Sequence, residues 1–388
     1  MLFNKKLWII ISSILVVVGI AGAANLIING KDAMGTTNYV PWGGLIAGYV
    51  FFVVSSTGLS LVSSLGHVFK IKRFEVIGKR AVLGSIVTLL MGFIVIGLEL
   101  GNPFAMIHLM FTPNFASAIF WMGLLYGVYL VLLCFEFFYM LKNDHKKSTF
   151  FGLLVLISAI AAHSNLGAVF GFLVARPYWT GPYMSIYFIL SAFLSGAAIL
   201  AIIYFVVMKV KDNETLYYRG DHILKSLGKL LILFIGITSF FTTWKILTGL
   251  YNAVPGKYEA VMILLTGPLA PQFWLFEVGF GMVIPLLILT LPNGLTPIRV
   301  AAAGTMVIIG IFFMRISLVF TGQMVPLEVV KGMEVEMYRE WTIAWAEWAL
   351  IIGAIGGTIL LYIVAEKIWD MRTIVDDDLD HYSEKKIS

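Results

Sequence analysis

The chain has little of what soluble enzymes and metalloproteins rely on. Its 388 residues include one cysteine, Cys134, and only 13% are charged, against about 25% in an ordinary soluble domain. A single cysteine excludes an internal disulfide, a cysteine-based zinc site and a cysteine-ligated iron–sulfur cluster within this chain. The net charge of +5 is spread over short connections between apolar runs rather than gathered on one face. Nucleic-acid binding is therefore not indicated.

Histidine is also scarce, which limits haem binding. Membrane b-type haems commonly need two histidines at matching depth on facing helices. Of the six histidines only His163 lies within the middle of an apolar run. The others fall at a run end (His67), in connections (His108, His145 and His222) and in the carboxyl-terminal tail (His381). The sequence therefore predicts a chain with neither haem nor a metal site.

What the sequence does contain is apolar surface, at 60% hydrophobic residues and a mean hydropathy of +0.92. Runs of about 20 apolar residues are long enough to cross a bilayer as helix. The pattern predicts an all-α integral membrane protein with ten transmembrane helices in one domain over 1–388. We expect the first apolar run, which follows Lys5 and Lys6, to be an uncleaved anchor rather than a signal peptide. The predicted spans are 7–29, 42–66, 80–98, 117–141, 150–174, 183–208, 226–250, 273–291, 298–320 and 342–365.

The distribution of lysine and arginine predicts the orientation. Most of these residues fall at the two termini and after helices 2, 4, 6 and 8. The positive-inside rule predicts that those segments face the cytoplasm, so both termini should lie on the cytoplasmic side. The protein itself is expected in the cytoplasmic membrane of a prokaryote. Long connections at 99–116, 251–272 and 321–341 lie on the opposite, outer face, either packed on themselves or covered by a partner. The few cations of that face are Lys31, Arg176, Lys257, Lys331 and Arg339.

A faint internal repeat suggests how the helices are grouped. Helix 4 opens with Phe120-Trp121 and helix 8 with Phe273-Trp274, and Glu136 and Glu277 follow in the respective helices. A unit of four helices would give two parallel four-helix bundles, 42–174 (helices 2–5) and 183–320 (helices 6–9), flanked by helices 1 and 10. Chance similarity between apolar helices is the alternative.

Ionisable residues within the predicted spans are functional-site candidates, because each is costly in a bilayer unless it is paired or hydrated. Most lie in the middle or outer half of the membrane, and Glu136 alone lies toward the cytoplasmic end of its helix. The structural alternative is a set of buried ion pairs that fix helix register, and it is strongest for Glu99 and Glu347. Ion pairs that only fix helix register would not be expected to gather in one half of the membrane. The gathered groups are Glu99, His163, Lys245, Glu277, Arg315 and Glu347.

This asymmetry favours a site for an amphiphilic ligand that enters from the outer leaflet, and a quinone has suitable chemistry. Its apolar tail partitions into lipid, and its head requires hydrogen-bond donors and a proton route. His163 suits this role because an imidazole can donate to a quinone oxygen and exchange a proton near neutral pH. Further donors or stacking surfaces nearby are Trp121, Tyr126, Ser164, Asn165 and Trp179.

Several short motifs, taken in order, resemble a known family. The chain is similar to the polysulfide reductase NrfD-like membrane subunits, which include the membrane subunits of periplasmic nickel–iron hydrogenases and of alternative complex III. Many relatives have Asp where this chain has Glu99, followed by Arg where it has Asn102. The matching segments are Pro41-Trp42-Gly43, Glu99-Leu100-Gly101-Asn102-Pro103, the stretch 114–136, His163 with Gly167, Arg176-Pro177-Tyr178-Trp179, Phe273-Trp274-Leu275-Phe276-Glu277, and Arg315.

The resemblance implies a haem-free subunit that binds menaquinone or ubiquinone near the outer face. It further implies an iron–sulfur subunit docked there, and beyond it a catalytic subunit of molybdoenzyme or hydrogenase type. Iron–sulfur clusters would reside only in these partners. Transferred by position, the quinone-site candidates are Glu99 and His163, with Arg176, Trp179 and Trp121 around them. The candidates for a proton path are Glu136, Glu277, Lys245 and Arg315.

The leading hypothesis is thus a quinone-reactive membrane subunit that catalyses nothing alone, with proton translocation as an added hypothesis. A secondary transporter or proton channel is the alternative, since buried charges on several helices also describe coupling sites. Transporters often contain broken helices, and Pro285 is the one mid-span proline in the predicted helices. Substrate uptake by the isolated chain in liposomes would favour a transporter. A purely structural anchor is the third hypothesis, and it predicts near-neutral effects of conservative changes at His163.

Overall fold

The computed structural model describes residues 5–100, 111–210, 214–251, 253–326 and 338–371. Within these ranges it contains no strand, and ten helices are long and apolar enough to cross a membrane, which confirms the predicted fold class. Gly101, Asn102 and Pro103 of the family motif lie outside the described residues. The helices are α1 (Lys5–Asn29), α2 (Gly44–His67), α3 (Gly78–Glu99), α4 (Ala118–Leu141), α5 (His145–Gly171), α6 (Tyr183–Val210), α7 (Glu214–Tyr251), α8 (Ala270–Thr290), α9 (Pro297–Met324) and α10 (Trp345–Ile368).

Helices form over these runs because a bilayer offers no hydrogen-bond partners to the backbone, so each span must satisfy its own amide groups. Side-chain caps fix some of the starts. The Ser117 hydroxyl accepts a hydrogen bond from the Phe120 amide at the start of α4, at 3.4 Å. The Asp144 carboxylate accepts one from the Lys147 amide at the start of α5, at 3.1 Å, and this hydrogen bond lowers the pKa of Asp144.

Two helices begin well before the spans that hydropathy predicts, whereas the other starts agree to within about three residues. The α5 helix starts at His145 rather than 150, and α7 starts at Glu214 rather than 226. Both added segments carry charged residues, which an apolar window excludes although they are helical. Charge therefore marks the end of the apolar span and not the end of the helix.

The helices contact one another in two rings. In the first ring α2, α3, α4 and α5 each pack on the next, and α5 closes on α2; in the second, α6, α7, α8 and α9 do the same. The α2 helix also contacts α6 and α9, and its apolar window is 94% buried, so it lies at the centre of the molecule. These contacts are consistent with the predicted grouping 42–174 and 183–320. That the two groups are repeated units stays a prediction.

Helices α1 and α10 lie outside both rings and pack on each other, while α10 also contacts α3. Following the predicted orientation, we call the end where α2 begins and α3 finishes the outer end. Gly19 and Gly353 form the crossing point of α1 and α10: a Cβ added to Gly19 would lie 2.6 Å from the Gly353 Cα. Only glycine allows the two backbones to come this close.

We expect Gly353→Ala to destabilise the protein by about 1–3 kcal/mol, because the added methyl forces α1 away from α10. A lower melting temperature in detergent would measure it. Gly236→Ala is the matched control, since a Cβ at Gly236 in α7 has no atom within 4 Å. Equal melting temperatures for the two variants would contradict the proposed crossing point.

Candidate functional site

The buried ionisable side chains do not converge on one pocket. Apart from Arg315, the six gathered residues form three groups: a carboxylate pair at Glu99 and Glu347, a central group around His163, and a cavity between Lys245 and Glu277. Arg315 of α9 stands between the second and third groups, with Tyr126, Tyr187 and Glu277 as its titratable neighbours. The geometry of each group decides what it can do.

His163 is fully buried, and protein atoms engage both ring nitrogens. Its Nδ1 shares a hydrogen bond of 2.9 Å with the Tyr126 hydroxyl of α4. Its Nε2 lies 3.1 Å from the Phe188 carbonyl oxygen of α6, so Nε2 carries the proton that this contact requires. That assignment makes Nδ1 of the neutral ring the acceptor and the Tyr126 hydroxyl the donor. A quinone could reach His163 only by displacing one of these partners.

A line of hydroxyl groups continues from His163 through the first ring of helices. The Tyr126 and Tyr129 rings lie 6.3 Å apart, and the Tyr129 hydroxyl donates to the Ser60 hydroxyl of α2 at 2.7 Å. We call Tyr126, Tyr129, Ser60 and Ser56 the hydroxyl line. Ser56 extends it by donating to the Ser85 carbonyl of α3 at 2.8 Å, and the Ser85 hydroxyl donates back to the Ser56 carbonyl.

Glu136 lies two helical turns beyond Tyr129 on the same buried face of α4. One of its carboxylate oxygens, Oε2, is buried without a hydrogen-bond partner among the described residues. Its other oxygen is directed at α5, where a Cβ added to Gly152 would lie 2.9 Å from it. The predicted proton-path residue thus stands about 10 Å beyond Tyr129, toward the inner end of α4.

Arg315 is fully buried and incompletely bonded. Its Nη2 donates to the Ser191 hydroxyl of α6 at 2.5 Å, and its guanidinium carbon lies 5.0 Å from the centre of the Phe188 ring. Its Nε and Nη1 have no hydrogen-bond partner in the part of the chain that the structure describes. Nor does any described carboxylate pair with it within 4.0 Å. Arg315 is therefore a buried charge that the surrounding protein solvates only in part.

Lys245 and Glu277 line a cavity in the second ring of helices. Its empty volume, with its mouth included, is about 360 Å³, and its interior admits about one water molecule. The Lys245 ammonium lies 3.8 Å from the centre of the Tyr178 ring, a cation–π contact. In the described residues neither Lys245 nor Glu277 has an ion-pair partner within 4.0 Å. The polar lining consists of Tyr178, Tyr187, Thr242, Lys245, Glu277 and Ser317.

An irregular stretch of α8 carries Glu277. From Phe273 to Val283 the backbone is π-helical. This conformation is rare in proteins, and where it occurs it is often at a functional site. The extra residue in each turn shifts side-chain positions relative to a regular α-helix. No periodicity in the sequence predicts this stretch.

Glu99 and Glu347 lie near each other at the outer end but differ in their bonding. Glu347 is fully buried, and its oxygens accept hydrogen bonds from the amides of Gly35, Gly44 and Ala344, each at 2.8 Å. Glu99 ends α3, and its Oε2 is buried without a partner among the described residues. Its charged neighbours are Glu347 and Lys31. Glu347 thus has partners for both carboxylate oxygens, whereas Glu99 Oε2 has none among the described residues.

Arg176 and Trp179 close the outer end of the central group. The Arg176 guanidinium donates to the Gln323 and Val325 carbonyls at the end of α9, both at 3.1 Å, and burial lowers its pKa. Trp179 donates to the Leu318 carbonyl at 2.8 Å and stacks on Trp42 at 5.2 Å. Arg176 thus caps carbonyl groups at the end of α9, and Trp179 packs against Trp42. Both lie on the outer side of His163.

Trp121 lies apart from the other predicted quinone-site residues. Its indole donates to the Phe115 carbonyl at 2.9 Å, and the side chain is 38% exposed on the outer part of α4. In an α-helix, Trp121 and Tyr126 are about 140° apart around the axis, so they point to different faces. The structure therefore does not bring Trp121 to His163.

Comparison with known proteins identifies the family. Residues 32–327 match the family model described as polysulphide reductase, NrfD. The chain belongs to the NrfD family. This agrees with the resemblance drawn from the short motifs, and it covers both rings of helices.

Three relatives match most of this NrfD chain. A selenate reductase subunit of Mesobacillus selenatarsenatis is 26% identical, over 94% of each chain. The Hdr-like menaquinol oxidoreductase integral membrane subunit of Archaeoglobus fulgidus is 27% identical, over 86% of each. A putative dimethyl sulfoxide reductase membrane subunit of Halobacterium salinarum is 28% identical, over 84% of this chain and 79% of that one.

Sequence reasoning missed several polar groups of this NrfD subunit. Tyr129, Ser60 and Ser56 were not singled out, nor were Tyr187 and Ser191. A signal for part of the line does exist, since Tyr126, Tyr129, Leu133, Glu136 and Met140 recur at intervals of three and four on α4. Within the described residues no group of three or more His, Cys, Asp or Glu side chains could hold a metal ion.

Proposed function

We propose that this chain is the quinone-binding membrane subunit of a respiratory oxidoreductase. It would pass electrons between the membrane quinone pool, menaquinone or ubiquinone, and an iron–sulfur subunit on the outer face. That partner would serve a catalytic subunit of molybdoenzyme or hydrogenase type. Menaquinone is supported by the similarity to the menaquinol oxidoreductase subunit over 86% of each chain.

The observation that carries the proposal is Glu99 at the outer end of α3, a carboxylate with a buried oxygen that has no hydrogen-bond partner in the described part of the chain. An oxygen in that state requires a donor, and a quinol hydroxyl is one that can arrive from the lipid. Quinol oxidation supplies two electrons and two protons. Glu99 is then the proposed first proton acceptor, and neighbouring Lys31 would stabilise its charged form.

The proposed role of His163 follows from its bonding. Because both ring nitrogens are engaged, His163 would act behind the quinone site rather than at its edge. Accepting a proton at Nδ1 would require the Tyr126 hydroxyl to turn away, which links His163 to the hydroxyl line. Arg176 and Trp179 would hold the outer ends of the helices in place above it.

We expect Glu99→Gln to lower quinol turnover of the assembled complex by at least about tenfold, because an amide cannot take up the proton. Turnover is measured with a water-soluble electron acceptor, and bound quinone is measured by solvent extraction and mass spectrometry. Glu259→Gln is the matched control, a carboxylate that caps a short outer helix by accepting from the Gly256 amide. Normal turnover of Glu99→Gln, or purified complex devoid of quinone, would refute the proposal.

The outer face offers a docking surface for the proposed iron–sulfur partner. Large apolar side chains are exposed there at the ends of α5 and α7 and before α2, namely Phe172, Val174, Tyr251 and Tyr39. Exposed apolar groups of this kind are typical of interaction surfaces. Copurification followed by mass spectrometry would name the partner. Recovery of the chain alone from native membranes would argue against this part of the proposal.

Proton translocation is a second candidate function, favoured by the hydroxyl line. Its two hydrogen-bonded pairs, His163–Tyr126 and Tyr129–Ser60, lie along α4 on the side toward Glu136, and their hydroxyl groups can both donate and accept, as proton relays require. We propose that protons cross between the outer cavity and the cytoplasmic side along this line during turnover. The predicted orientation, with both termini cytoplasmic, places Glu136 near the cytoplasm.

A further inference from the structure

Two regions that could carry protons approach each other in the middle of the molecule. One is the cavity between Lys245 and Glu277 in the second ring, and the other is the hydroxyl line that starts at Tyr126 in the first ring. If they were connected freely, protons would leak through the protein without any redox step. The structure must therefore contain a barrier if the line serves coupled transport.

Arg315 occupies the place of such a barrier. Its helix, α9, contacts α2 of the first ring as well as α6, α7 and α8 of the second. Its titratable neighbours are Tyr126 and His163 on the side of the hydroxyl line, and Tyr187 and Glu277 on the side of the cavity. Both Arg315 and His163 lie against the Phe188 ring. Arg315 therefore has neighbours on both sides, the hydroxyl line and the cavity.

The bonding of Arg315 gives the barrier its strength. A guanidinium stays charged in proteins, and its field is poorly screened at a fully buried position where no described carboxylate pairs with it. Two of its three nitrogens, Nε and Nη1, have no described hydrogen-bond partner, and Ser191 holds the third. A fixed positive charge in a narrow path repels protons, as arginine does in water channels.

We propose that Arg315 is an electrostatic gate that keeps the Lys245–Glu277 cavity and the hydroxyl line from exchanging protons freely. Two of its donors remain available for the Glu277 carboxylate, which is the nearby anion that could draw the charge aside. Movement of the guanidinium toward Glu277 would open the path during turnover. The inference rests on the proton line of the proposed function but not on quinone binding.

The test is passive proton leak through the full chain in liposomes, without quinol. A potassium gradient with valinomycin sets the membrane potential, and an enclosed pH-sensitive dye reports proton entry. We expect Arg315→Gln to raise the initial leak about tenfold over the wild-type chain, because the repelling charge is gone.

Arg80→Gln is the matched control. Arg80 is also a buried arginine, but it lies at the inner end of α3 and is paired with Glu366 at 2.9 Å. It should not leak. Combining Arg315→Gln with Glu136→Gln should remove the added leak if the path is the hydroxyl line. Should Arg315→Gln fail to fold, Ser191→Ala frees the bonded Nη2 with a smaller change, and we expect a two- to fivefold rise.

Several results would overturn the gate. The first is a leak at the wild-type rate in both Arg315→Gln and Ser191→Ala. The second is an equal leak in Arg315→Gln and Arg80→Gln. The third is a leak in Arg315→Gln that the additional Glu136→Gln change does not reduce. Since the assay contains no quinol, a failure of the proposed quinone function leaves the interpretation of the leak unchanged. Conversely, if the assembled complex turned over quinol normally and no variant showed an increased leak, only the gate proposal would be refuted.

Discussion

Replacing Glu347 with alanine is expected to prevent recovery of folded protein. Its carboxylate accepts three backbone hydrogen bonds at 2.8 Å, from Gly35, Gly44 and Ala344, in a place with no exposure to solvent. Hydrogen bonds to a charged group contribute about 1.5–3 kcal/mol each, and the three amides would be left buried and unpaired. The loss would therefore amount to at least about 4 kcal/mol, a large share of the stability of a typical protein.

The measurement is the yield of monodisperse chain in detergent, together with its melting temperature. Glu340→Ala is the matched control: this carboxylate is exposed seven residues earlier, and its removal should change stability by less than about 0.5 kcal/mol. Glu347→Gln keeps one acceptor oxygen, so we expect an intermediate loss. If Glu347→Ala melted within a few degrees of the wild-type chain, the capping role would be wrong.

Glu347 also shows how far a sequence can assign an intramembrane charge. Its position in the first turn of the last helix is visible from hydropathy, and a structural role was the stronger expectation there. An ion pair was the expected form of that role. The structure instead has the carboxylate bonded to amides at the starts of α2 and α10, where the helix dipoles favour negative charge. Contacts of this kind depend on loops that hydropathy does not describe.

The ten spans were predictable because the bilayer imposes both their length and their apolar character. Grouping the ionisable residues by depth was less informative about the site. Depth is one coordinate, and it leaves open which way each side chain points around its helix. Trp121 and Tyr126 illustrate this, since both lie in the outer part of α4, about 7.5 Å apart along its axis, but on different faces. The helical phase of α4 separates them and also places Tyr129 and Glu136 on the buried face.

Other features required the third dimension. The partial solvation of Arg315 depends on Ser191 of α6, and no spacing along the chain links the two. The π-helical stretch of α8 leaves no mark in composition, although it sets the position of Glu277. The crossing of α1 and α10 depends on two glycines far apart in sequence. These are contacts between helices, and a single sequence does not encode them in any periodic form.

Replacing Glu136 with glutamine is expected to abolish proton translocation while quinol turnover continues. The carboxylate has a buried oxygen without a described partner, about 10 Å along α4 from Tyr129 of the hydroxyl line. An amide cannot bind and release a proton in the accessible pH range, so the path to the cytoplasmic side would end there. Because Glu136 lies far from Glu99 and the outer face, electron transfer should fall by less than about twofold.

The experiment follows quinol turnover and the pH of sealed vesicles containing the assembled complex at the same time. Tyr129→Phe removes one hydroxyl of the line, and we expect it to weaken the pH signal without abolishing it, because the buried serines remain. Glu75→Gln changes a carboxylate in the short inner helix Lys72–Glu75 and should leave the signal intact. A full pH signal in Glu136→Gln would exclude this residue from the path. If quinol turnover fell in proportion to the pH signal, Glu136 would act in electron transfer or in assembly. The proposed separation of proton translocation from quinol turnover would then be wrong.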